Sequence, residues 1–261
     1  MKITLKQAEK VYFVSDFHLG TPDELSSRKR EDKIVKWLDE IERDAVAVFF
    51  VGDIFDFWFE YEKVIPKGFL RFFAKITMMR GKGIHLFFFT GNHDLWMKDY
   101  FPEELGIPVF HHPQEIEINQ KKFLIGHGDG LGPGDTKYKM LKKFFTSSLC
   151  KWMFKWLHPD VGIAIAQAWS KNSRLTNELK KEDEFKGKEH EWLYQYSRDI
   201  ESKIHFDYYI FGHRHLPLNL PINDTSVYYN LGEWVNQCYY GEFDGTAFKL
   251  KQYNGYAIKA D

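Results

Sequence analysis

At 261 residues the chain is long enough for one large domain, or one domain carrying an insertion, with a substantial buried core. Apolar residues make up 44% of it, and Phe (24), Tyr (14) and Trp (8) are abundant, which excludes disorder and predicts aromatic surface beyond the needs of a core. A net charge of −1 excludes a global field directed at nucleic acid, so any basic patch must be local and no nucleic-acid partner is expected.

The two cysteines, Cys150 and Cys238, are far apart and outside any metal-type spacing, which predicts a reducing compartment and no disulfide framework. The first residues, Met1 to Gln7, hold no continuous apolar stretch and no cleavage signal, and the longest apolar run, Ala45 to Val51, is far too short to span a bilayer. These features predict a cytoplasmic protein, with peripheral contact at the inner membrane face left open and no obligate protein partner implied.

Val11-Tyr12-Phe13-Val14 has the length and the valine and aromatic content of a buried strand, and Ser15-Asp16-Phe17-His18-Leu19-Gly20 follows it. An Asp and a His two apart at a strand end can both be aimed at one point beyond the sheet edge. Alone the pair is weak, since a turn with a satisfied His is the ordinary reading, but the arrangement recurs. Residues 30–45 show helical spacing in Ile34, Val35, Trp37, Leu38 and Ile41, and the strand Ala45 to Val51 then runs into Gly52-Asp53-Ile54-Phe55-Asp56. A helix over about 67–79 precedes a strand over 84–89, which ends in Gly91-Asn92-His93-Asp94. Strand, turn motif and helix in repetition predict an α/β fold with its ligands at the carboxyl ends of strands.

The pattern then changes to a hairpin, Glu115–Asn119 with Lys122–Ile125, ending in Gly126-His127-Gly128-Asp129. Strands resume at Tyr208–Phe211, followed by Gly212-His213-Arg214-His215, then at 227–231 and 246–253. Between them, residues 136–175 carry eight Lys or Arg against the single acid Asp160, interleaved with more Phe, Trp, Met and Leu than one helical stripe can hold. This reads as a helical cap, 136–195, inserted into a core made of 1–135 and 196–261. Ordinary packing explains many of its aromatics, but aromatics paired with local positive charge suit an anionic, greasy ligand or a membrane surface.

The collected groups Asp16, His18, Asp53, Asn92, His127, His213 and His215 offer imidazole, carboxylate and amide donors without thiolate, a set suited to Mn²⁺, Fe²⁺ or Zn²⁺. Seven ligands exceed the needs of one ion and suit two that share a carboxylate, which together activate water and polarise a phosphoryl group.

In this order the motifs Asp-x-His, Gly-Asp-x-x-Asp, Gly-Asn-His-Asp, Gly-His-Gly-Asp and Gly-His-x-His resemble those of the calcineurin-like metallophosphoesterases. The resemblance implies a four-layer α/β/β/α sandwich and two divalent ions, most simply Mn²⁺. One ion would take Asp16, His18, Asp53 and His215, and the other Asp53, Asn92, His127 and His213. It also implies His93 as general acid, a role worth typically ~10²–10⁴-fold, with Asp56 as its carboxylate partner. Within the family the chain resembles the branch of UDP-2,3-diacylglucosamine hydrolases of lipid A synthesis, which implies an acylated UDP-sugar cleaved to UMP and an acyl sugar 1-phosphate. Asp135 stands eight residues past His127 as in that branch, and Ser173, Asn177 and Lys180 reproduce its substrate-contact spacing. Offsets of four and seven put those three on one helical face, with Asn172 and Arg174 beside them; a solvated polar stripe is the plainer reading.

The resemblance further implies that Ile163, Ile165, Trp169 and the preceding aromatic helix meet acyl chains. Lys137, Lys139, Lys142, Lys143, Lys151 and Lys155 would face anionic headgroups at ~1 kcal/mol each. Two departures stand out: His93 replaces the arginine of that branch's Gly-Asn-Arg-Asp, and Arg214 replaces the threonine of the commoner Gly-His-Thr-His. A general phosphodiesterase or phosphomonoesterase is the competing enzyme reading. A non-catalytic scaffold on the same fold would be marked by lost ligands, and all seven are intact.

Overall fold

The structure is a computed structural model that describes residues 1–133, 136–180 and 184–254, without the side chains of Lys137, Trp169 and residues 171–180. Asp135 and the side chains of Asn172, Ser173, Arg174, Asn177 and Lys180 therefore lie outside the described residues.

In chain order the elements are β1 (Lys2–Ile3), β2 (Lys10–Val14), α1 (Glu24–Ile41), β3 (Ala45–Val51), α2 (Leu70–Gly81), β4 (His85–Phe89), β5 (Val109–Phe110), β6 (Gln114–Ile118) and β7 (Lys121–Gly126). Three helices follow, α3 (Thr136–Phe145), α4 (Ser148–Lys155) and α5 (Pro159–Lys180). The chain closes with α6 (Trp192–Glu201), β8 (Tyr208–Phe211), β9 (Pro217–Pro221), β10 (Val227–Leu231), β11 (Tyr239–Phe243) and β12 (Phe248–Gln252). One six-stranded sheet has the order β12-β11-β2-β3-β4-β5, the other β1-β6-β7-β8-β10-β9. The strands β2 to β5 are parallel, joined by helical crossovers.

The period of two along β3 explains the layering. Ala47, Phe49 and Val51 point between the sheets, where they meet Phe13, Phe87, Ile116, Phe123, Ile125 and Ile210. Val48 and Phe50 point outward onto Trp37, Leu38 and Ile41 of α1 and Phe72 and Ile76 of α2. Covered on both faces, the strand has no polar side, hence its unbroken apolar run. On the far face of the other sheet, Leu193 and Tyr194 of α6 pack with Tyr209, Phe211 and Tyr228. The result is the α/β/β/α sandwich.

Several boundaries differ from the sequence expectation for local reasons. Helix α1 starts at Glu24 because the Asp23 carboxylate accepts from the Ser26 N–H, ahead of the apolar periodicity. β9 begins and ends in proline, which disguised an edge strand as loop. The β6–β7 turn at Asn119-Gln120 has both residues at positive φ (48° and 65°), as a tight hairpin demands. α6 runs across the expected 195/196 junction, since Leu193 and Tyr194 are held by the sandwich.

α3, α4 and α5 stand over the carboxyl edge of the parallel strands. Phe154 packs against Phe57, Phe59 and Trp96, and the Trp96 indole N–H donates to the Phe145 carbonyl at 2.8 Å. No residue of α4 is buried; Leu149, Trp152 and Met153 are exposed, as is Trp156 just beyond it.

Candidate active site

Each motif leaves a strand and turns back at once, and the backbone records the effort. Asp16, His18, Asp53, His213 and His215 all have positive φ, between 45° and 70°. Non-glycine residues avoid that region, at a cost of order 1–3 kcal/mol each. The flanking glycines make the close approach possible. A Cβ on Gly91 would stand 2.2 Å from Asp53 Oδ1, and one on Gly212 would stand 2.6 Å from Asp16 Oδ2.

The side chains converge. Nε2 of His18 faces Nε2 of His215 at 3.1 Å, and Oδ1 of Asp16 lies 3.2 Å from the latter and 3.7 Å from the former. Beside them, His127 Nε2 lies 3.3 Å from Asp53 Oδ2 and 3.3 Å from Asn92 Oδ1, with the His213 ring 5.2 Å from that of His127. The same Asp53 Oδ2 is 3.9 Å from His18 Nε2, so one carboxylate oxygen faces both groups. Asp16–His18–His215 and Asp53–His127–His213 each form a cluster able to hold a metal ion. Asp16 Oδ1 is buried without a hydrogen-bond partner among the described residues. A buried lone pair left over in this way fits a cation better than a hydrogen-bonded core.

Charge agrees with geometry. Burial penalises the carboxylate of Asp16, but His18 and His215 hold its pKa well below the usual range, and His127, ahead of His93, does so for buried Asp53. Burial likewise opposes the His18 and His127 imidazolium ions; Asp16 and Asp56 raise His18, and Asp53 raises His127, each to about 10. His213 is pushed down to about 4 by burial and by the His127 charge. Divalent cations would compete with protons for these nitrogens.

Contacts behind the candidate ligands hold the loops in place. Asp94 accepts from the N–H groups of Gly91, Asp53, Ile54 and Phe55 at 2.7–3.3 Å, clasping the second and third motifs together. Arg30 sits on the apolar face of α1, four residues before Ile34, and donates to the carbonyls of Phe17 (3.2 Å), His18 (2.7 Å) and Thr21 (3.0 Å). That misplaced charge was its sequence signal. Arg214, between two candidate ligands, donates through Nε to Glu191 at 3.0 Å and lies 4.3 Å over the Trp192 ring. Asp129 accepts from Tyr138 at 2.8 Å and pairs with Lys142 at 2.6 Å, binding α3 to the fourth motif.

His93 and Asp56 meet at this centre. His93 Nδ1 lies 3.0 Å from the Asp56 backbone carbonyl and 3.6 Å from Asp56 Oδ1. Burial lowers the His93 pKa, against the pull of Asp53. Ser170 of α5, missed in the sequence because a lone serine in a helix carries no pattern, is also here.

Residues 9–217 match the family model described as calcineurin-like phosphoesterase. The chain is 33% identical over 253 residues to the UDP-2,3-diacylglucosamine hydrolase of Porphyromonas gingivalis, covering 93% of this chain and 97% of that one. It is 25% identical over 241 residues to the protein of that name from Photorhabdus laumondii, covering 91% and 93%. Matches of that extent, spanning all five motifs, show that this chain belongs to the calcineurin-like phosphoesterase family.

Proposed function

We propose that this protein hydrolyses the pyrophosphate of UDP-2,3-diacylglucosamine, releasing UMP and 2,3-diacylglucosamine 1-phosphate. The observation that carries the reading is similarity over nearly the full length of both chains to a relative bearing that name, cap helices included. In this reading Asp16, His18, Asp53 and His215 hold one divalent ion, and Asp53, Asn92, His127 and His213 the other; Mn²⁺ suits the N/O set, as Fe²⁺ or Zn²⁺ would. When bound, the ions polarise the phosphoryl group and lower the pKa of water.

The chain's own residues do the rest. His93 delivers a proton to the leaving oxygen, and Asp56 orients its ring from the side opposite the reacting group. Asp135, Ser173, Asn177 and Lys180, with Asn172 and Arg174, grip the sugar and diphosphate. The exposed apolar residues of the cap, Phe144, Trp152, Met153, Trp156 and Ile165, meet acyl chains at the membrane surface. The cap lysines contribute less charge there than their composition suggests: Lys142 is paired with Asp129 and Lys155 with Glu62. No helix among the described residues is long and apolar enough to cross a membrane, so contact would be peripheral.

The deciding experiment is Mn²⁺-dependent hydrolysis of UDP-2,3-diacylglucosamine beside its de-acylated analogue. A strong preference for the acylated substrate is expected; equal rates would leave only a general phosphodiesterase, the reading that His93 in place of arginine favours.

A further inference from the structure

The cap inserts a buried hydroxyl into the candidate active site. Ser170 is 5% exposed, and its Oγ lies 3.0 Å from Asp56 Oδ1 and 3.1 Å from His93 Nδ1. The Asp56 backbone carbonyl is 3.0 Å from the same nitrogen. A carbonyl oxygen only accepts, so Nδ1 carries a hydrogen; with that N–H directed at the carbonyl and at Oγ, the serine hydrogen is left to donate to the carboxylate. The direct path from Nδ1 to Asp56 Oδ1 is 3.6 Å, too long for a hydrogen bond. The carboxylate therefore reaches the imidazole through the hydroxyl.

We propose that Ser170 is a positioning residue that completes an Asp56–Ser170–His93 chain, so that the proton-donating histidine is coupled to the Asp56 carboxylate only with α5 seated on the core. The inference rests on the reading of His93 as general acid. In that step the oxygen of water bonds to phosphorus and the bond from phosphorus to the leaving oxygen breaks. The leaving oxygen keeps the electron pair and takes the proton from His93 Nε2, while the surplus proton of water passes to solvent. Ser170 touches none of the reacting atoms. The Asp56 carbonyl keeps a hydrogen on Nδ1, and Ser170 links the ring to the carboxylate and fixes its plane, which leaves Nε2 as the nitrogen that carries the transferable proton. Asp56 and His93 come from core loops and Ser170 from the cap, so the same helix expected to bind substrate also completes the histidine's support.

The test uses the full-length chain loaded with Mn²⁺ and two UMP diesters, one with a p-nitrophenyl and one with a phenyl leaving group. Ser170→Ala is expected to lower kcat on the phenyl ester roughly tenfold, the rate equivalent of one hydrogen bond to a charged group, with less than about a twofold change on the p-nitrophenyl ester. Ser170→Thr restores the phenyl rate. Ser170→Cys, which keeps the volume but donates weakly, reproduces the selective loss if the alanine variant does not fold. The double variant with His93→Ala is no slower than His93→Ala alone. Equal losses on both esters, or full additivity with His93→Ala, would overturn the role of Ser170 while leaving the general acid in place. If His93→Ala itself slowed both esters equally, the general-acid reading would fall and the inference with it.

Discussion

The strained backbone at Asp16, His18, Asp53, His213 and His215 marks residues whose conformation is set by what their side chains must reach. Asp53 is the most exacting of them, because one oxygen faces both ligand clusters and its other oxygen accepts from the His93 N–H at 2.8 Å. Asp53→Ala should abolish turnover, with at least 10²-fold loss in an Mn²⁺ assay, and remove tight metal uptake by calorimetry; retained activity would refute a shared carboxylate. Arg214 poses a different question. Glu191, its partner, is 1% exposed, so Arg214→Ala should cost about 3–5 kcal/mol in denaturant unfolding by stranding a buried carboxylate. Glu191→Gln on the Arg214→Ala background should recover much of that loss. If the single variant is as stable as the parent, the pair does not hold the loop between His213 and His215.

Among the elements, β3 is the one on which both apolar clusters depend, and Phe49→Ala should cost about 3–5 kcal/mol because its ring stacks on Phe13 and Phe87 between the sheets. α4 is the opposite case, an element with its apolar residues turned to solvent. Replacing Trp152 and Trp156 by serine should weaken binding to anionic vesicles while changing the melting temperature little; unchanged vesicle binding would remove α4 from the membrane contact. At the end of α6, burial works against the Glu201 carboxylate, but His205, the Phe206 N–H, Tyr209 and Ser226 together bring its pKa down from 4.5 to about 2. Because the folded value is the lower one, this stabilisation is fully present above about pH 4.5 and disappears as pH falls towards 2. Glu201→Gln should therefore be less stable than the parent at pH 7, by on the order of 1–3 kcal/mol, with the difference closing along the acid limb of an unfolding titration.

For the whole molecule, the active centre is the seam where two sheets and a cap come together, so occupancy of the centre should report on global stability. Metal-free protein should melt at a higher temperature when Mn²⁺ is added, by the equivalent of about 2.7 kcal/mol at a hundredfold excess over Kd, and chelation should reverse the shift. The gain should vanish in Asp53→Ala. The nature of the centre was legible in the linear chain because parallel neighbours end at the same edge: β2, β3 and β4 in one sheet and β7 and β8 in the other each run straight into Gly, Asp, Asn or His. That the two edges meet was decided by how the sheets stack. Local periodicity likewise marked β3, β8 and β10 to the residue, since burial on both faces leaves no ambiguity about where the apolar run stops. What periodicity could not carry were contacts between residues far apart in the chain: Arg30 under the first motif, Glu191 under the last, and Ser170 against Asp56, 114 positions away. Each is a single polar side chain whose meaning comes from its neighbours in space. The sequence alone pointed to the chemistry, through the carboxylate, amide and imidazole donors it places at strand ends. Only the tertiary structure decided how the cap engages it, because a hydroxyl on a helix has no pattern until a carboxylate and an imidazole are brought within 3 Å or so of it.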